Sequence, residues 1–117
     1  MKAPLTALLI LLTVSSGSFA GKIQKGVIMD VKPNSIWFDE VADLTHWQAL
    51  KKTGNATELA SYQDAVLGRR DAWQFIYQLT VKILSYTPAN HQVSVEMRTE
   101  GRYVGTKWVL DDSAIVQ

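Results

Sequence analysis

The chain has 117 residues, a formal net charge of +1 and no cysteine; 47% of it is apolar and 20% charged. That suits one domain with a packed core and is too apolar for a disordered chain. The missing cysteines exclude a disulfide scaffold, a zinc–thiolate site, a thiol nucleophile and a lipidated N-terminal cysteine.

Lys2 precedes an apolar run from Leu5 to Val14, and the segment closes on Ser18-Phe19-Ala20. A positive start, an apolar stretch of about ten residues and a small-x-small end read as a secretory signal over residues 1–20. The stretch is too short for a membrane span, which takes roughly 20 residues. The expected mature chain is residues 21–117, a single domain without a stable membrane span, periplasmic or secreted. Its basic and acidic residues are equal in number. A neutral domain lacks the positive excess with which a non-specific nucleic-acid binder displaces counterions.

Ile23 to Lys32 alternates with period 2 and predicts a strand, with Gly26 marking a bulge or close approach. Pro33-Asn34-Ser35 predicts a turn, and Ile36-Trp37-Phe38 a second extended piece. Thr45 and Gln48 have capping-box spacing, so a short helix is expected from Thr45, closed by Lys51, Lys52 and Gly54. Asn55 restarts a helix. Leu59, Tyr62, Val66, Trp73 and Ile76 fall on one stripe of a helix of about twenty residues. Trp47 and Trp73 are expected in the core.

From Tyr77 the period returns to 2. Leu79, Val81 and Ile83 predict one strand, and Val93, Val95 and Met97 the next. Glu100-Gly101-Arg102 predicts a tight turn before a strand from Tyr103 to Leu110. A helical turn at Asp111 to Ala114 and a last short strand at Ile115 to Gln117 complete the order.

Val81 to Leu84, a polar loop, Val93 to Met97, the Gly101 turn and Gly105-Thr106-Lys107-Trp108-Val109-Leu110 resemble the three-strand meander of SH3-like domains. Trp108 to Ile115 is similar to that fold's closing strand, helical turn and final strand. The expected fold is therefore α+β: a small antiparallel SH3-like β-barrel of five to six strands with a helical hairpin inserted at about 43–76. The resemblance implies a bacterial exported domain of a group that binds cell-wall peptides or envelope proteins. The acidic, tyrosine-rich loop with which eukaryotic SH3 domains bind proline peptides is absent.

Catalytic chemistry is poorly served. His46 and His91 are the only imidazoles, and neither lies in a serine or threonine nucleophile motif. Asp39, Glu40, Asp43 and His46 could hold a divalent ion, but carboxylates at a helix start suit the dipole without one. Adjacent Asp111 and Asp112 point different ways and read as turn caps. No catalytic residue, metal or cofactor is assigned. The aromatic residues are the most suggestive feature, because they dominate both small cores and binding surfaces. The candidate binding residues are Trp37, Tyr103 and Trp108, with Arg102 beside them. Arg98, Arg102 and Lys107, interleaved with Glu96 and Glu100, read as a solvated cross-strand ion-pair face. The expected function is a non-enzymatic module that recognises an envelope protein or a peptidoglycan peptide. The alternative is a small periplasmic inhibitor or immunity-type protein that blocks a wall-acting enzyme, using a corner at Thr87 to Gln92 or Lys51 to Asn55.

Overall fold

The computed structural model describes residues 22–117, so the secretory reading of residues 1–20 lies outside the described residues. Among the described residues the fold is α+β, with one six-stranded antiparallel sheet and two helices. In chain order these are β1 (Ile28–Val31), β2 (Ile36–Phe38), α1 (Val41–Thr53), α2 (Ala56–Arg69), β3 (Ala72–Gln74), β4 (Leu79–Thr87), β5 (Gln92–Met97) and β6 (Lys107–Asp111). Single 3-10 turns follow β4 at Pro88–Asn90 and β6 at Asp112–Ala114. Across the sheet the strands run β1-β4-β5-β6-β2-β3, and the sheet is not closed. A single bridge, Val31 to Ile115, lays the C-terminal segment along the outer edge of β1. The Lys32 amide donates to the Ala114 carbonyl at 2.8 Å and the Val116 amide to the Asp30 carbonyl at 2.9 Å.

Alternation is cleanest in β5, where Val93, Val95 and Met97 are buried and the residues between them are half-buried. Period 2 puts them on one face. They meet Val81 and Ile83 of β4, Trp108 and Leu110 of β6, and Ile115 in the larger of two cores. The register of β4 against β5 slips between Ile83 and Ser85. An extra residue of this kind bends a long strand.

The first strand is shorter than its pattern predicts. A turn at Lys25-Gly26, with Gly26 at φ 87°, interrupts it before Ile28. That left-handed conformation is open to glycine without strain. The first helix begins at Val41, not Thr45, because the amides of Asp43 and Leu44 already bond the Glu40 carbonyl. Gln48 is thereby released from any capping role. Gly54 closes α1 in the left-handed region, and the Asn55 side chain accepts from the Glu58 amide at 3.0 Å to start α2.

The second helix stops at Arg69, well short of Ile76. Arg70 takes a left-handed φ of 66°, its amide turns back to the Leu67 and Val66 carbonyls, and the chain reverses. Trp73 is therefore a strand residue, paired with Trp37 across β2 and β3, and Ile76 is 62% exposed. The helical pair thus fills the connection between two neighbouring strands. Its inner face forms the second core, where Leu44, Trp47 and Val66 pack on Phe38 and Ala72. The Trp47 indole N–H donates to Gln63 Oε1 at 2.8 Å and ties α1 to α2.

Candidate binding site

Trp37 is 1% exposed and Trp108 6% exposed, so both are core residues and offer no surface to a partner. They meet edge-on at 6.1 Å. Phe75 stands edge-on to both, at 5.1 Å from Trp37 and 6.0 Å from Trp108. Phe75 is half-buried and carries the aromatic packing outward. Tyr103 lies 5.3 Å from Phe75 and 5.7 Å from Trp73. The result is an aromatic stack that begins in the core and surfaces at Trp73, Phe75 and Tyr103.

Tyr103 belongs to the loop between β5 and β6, not to a strand. Gly101 and Gly105 hold positive φ on either side of it. The Thr106 hydroxyl donates to the Tyr103 carbonyl at 2.6 Å and accepts from the Trp108 indole N–H at 2.7 Å. The loop is thus fastened to a buried tryptophan, and Tyr103 is held in place. Exposed Val104 follows it in this loop, and exposed Ile76 and Tyr77 follow Phe75.

Two guanidinium groups flank the stack. Arg70 lies 5.8 Å from the Trp73 ring centre and Arg102 5.9 Å from that of Tyr103. Among the described residues the ion pairs are Arg69–Asp71 and His91–Asp112, so neither Arg70 nor Arg102 has a carboxylate partner. Nor does the expected ion-pair face form: Glu96 and Lys107 are register partners on β5 and β6 without an ion pair. Sequence reasoning singles out Tyr103 and Arg102 but misses Trp73, Phe75 and Arg70. A reading of one long helix through Ile76 hides Trp73 and Arg70.

Asp43 of α1 is bonded to α2. Tyr62 donates to Asp43 Oδ1 at 3.0 Å, and its ring lies 4.2 Å from that of His46. Burial, then Asp43, push the Tyr62 hydroxyl pKa up to about 12. Among the described residues no group of three His, Cys, Asp or Glu side chains is placed to hold a metal ion.

A polar network joins α1 to the ends of β5 and β6. Gln48 Nε2 donates to Asp111 Oδ1 at 2.7 Å and to the His91 carbonyl at 3.1 Å. Gln92 Nε2 donates to Gln48 Oε1 at 3.0 Å and to the Thr45 hydroxyl at 2.9 Å. Burial alone would raise the Asp111 pKa; hydrogen bonds from Ser113 and Gln48 and the charge of Lys51 outweigh it and hold the carboxyl below its usual value. His91 Nδ1 lies 3.0 Å from Asp112 Oδ2, an oxygen that also accepts from the Tyr86 hydroxyl at 2.8 Å. Lys51 and His91, one from each of the corners Lys51 to Asn55 and Thr87 to Gln92, wall one cleft.

No protein-family model, curated protein or solved structure matches the chain.

Proposed function

We propose that the chain is an exported, non-enzymatic binding module that holds a carboxylate-bearing peptide, from the cell wall or an envelope protein. The observation that carries this reading is the surfacing aromatic stack of Trp73, Phe75 and Tyr103, flanked by Arg70 and Arg102 without carboxylate partners. Aromatic rings give contact area at little entropic cost, and guanidinium groups pair carboxylates through two parallel hydrogen bonds. Export is supported by the charged start, apolar run and Ser18-Phe19-Ala20 of the sequence. An SH3-like architecture is supported by the β4-β5-β6 meander, the 3-10 turn after β6 and the return of Ile115 to β1.

The test is co-sedimentation of the purified protein with cell-wall sacculi at low and high salt. Wild-type protein is expected to pellet in both. Tyr103→Ala and Arg102→Ala should each weaken binding about 30-fold, the loss of one central contact worth about 2 kcal/mol. Wild-type protein left in the supernatant excludes the wall peptide and leaves the envelope-protein peptide, to be sought by cross-linking. Unchanged binding in both variants overturns this surface.

A further inference from the structure

A second concave feature lies at the other end of the β5–β6 ladder. The aromatic stack is next to Glu96 and Lys107, whereas Gln92 and Asp111 pair at the far end, four residues along the strand. Strand rise makes that about 13 Å. There a cleft of about 630 Å³ opens between the last turns of α1 and the β4–β5 turn. That volume falls within the range of small-molecule sites.

The lining divides by hydrogen-bonding role. The side-chain oxygens of Asp111, Gln48 and Thr45 are engaged within the wall. Asp111 Oδ1 accepts from Gln48, and Asp111 Oδ2 from the Ser113 amide and hydroxyl. Gln48 Oε1 and the Thr45 hydroxyl both accept from Gln92. The cations are not engaged in the same way. Lys51 and Lys52 line the cleft, and neither has a carboxylate within ion-pair distance among the described residues. The Lys51 ammonium lies 4.6 Å over the Trp47 ring, which steadies it. His91 also lines the cleft, its Nδ1 held by Asp112. Asp112 thereby fixes the orientation of the ring. Ala49 and Ala89 supply an apolar part of the wall.

We propose that this cleft binds a small organic anion. One carboxylate or phosphate group is held by Lys51 and Lys52, beside His91, and the hydrocarbon body lies against Ala49 and Ala89. The site is separate from the aromatic surface, so either assignment can fail without the other.

The experiment is a titration of the purified, 15N-labelled protein with glutarate and, separately, with inorganic phosphate at constant ionic strength. Saturable shifts are expected at the amides of Lys52, Asn90 and His91. Saturation by glutarate alone assigns a carboxylate ligand, and saturation by phosphate alone assigns a phosphate ligand. The double variant Lys51→Gln/Lys52→Gln should weaken binding about tenfold or more. Both lysines are exposed, so the spectrum of that variant should keep its dispersion. Tyr103→Ala should bind both anions as the wild type does. Shifts that rise linearly with both anions, or an unchanged affinity in the double variant, overturn the proposal.

Discussion

Arg70 does two jobs that conflict. It ends α2 in a left-handed conformation, which an L-residue adopts at a cost of about 1–2 kcal/mol, and it places a guanidinium against Trp73. An exposed cation–π contact returns only about 0.5–1 kcal/mol. Glycine would relieve the backbone strain and lose the weaker contact with the ring. Arg70→Gly is therefore expected to be more stable by about 0.5–1 kcal/mol, read as a rise of a few degrees in Tm, while losing affinity for sacculi. An unchanged or lower Tm would show that the turn is unstrained. The same residue explains why the end of α2 is hard to read. A glycine there would have announced the stop, whereas arginine does not, and Trp73 happens to sit seven residues after Val66. A spacing of seven fits a helix as well as it fits a chain that has reversed.

At the scale of elements, legibility followed burial. The alternation of Val93, Val95 and Met97 is plain because every second residue enters one core. The helical pair is legible as a pair because Gly54 and Asn55 carry the chemistry of a stop and a start. What the sequence does not show is how remote segments meet. Tyr103 and Arg102 stand out locally, but Phe75 and Trp73 reach them only through the β2–β3 pairing, and the burial of Trp37 and Trp108 follows from the same packing. Nor does spacing show that Gln48 fastens α1 to β6 through Asp111. That contact has a pH signature. A carboxyl held below its ordinary value of 3.8 stabilises the fold fully above that value and loses the contribution as pH falls through the lower folded value. Asp111→Ala should cost about 1–3 kcal/mol at neutral pH. Urea melts of the two proteins should converge on acidification below the ordinary aspartate range. A gap that stays constant down to the acid transition would show that Asp111 acts by packing alone.

For the whole molecule, the two ends of the described chain are joined. Ile115 is 1% exposed in the larger core, and the residues around it bond the outer edge of β1. Deletion of Ile115-Val116-Gln117 removes one fully buried side chain and two backbone hydrogen bonds, those made by the Ile115 and Val116 amides. The expected loss is about 3–5 kcal/mol, read from the urea midpoint, a large share of what a small domain has. A loss below about 1 kcal/mol would mean that the segment merely lies on the surface. The same closure sets a schedule for synthesis. Val31 emerges from the ribosome early, but its outer edge has no partner until Ile115 is out as well. The finished fold therefore forms only once Ile115 has left the exit tunnel, and until then one edge of the nascent sheet stays open.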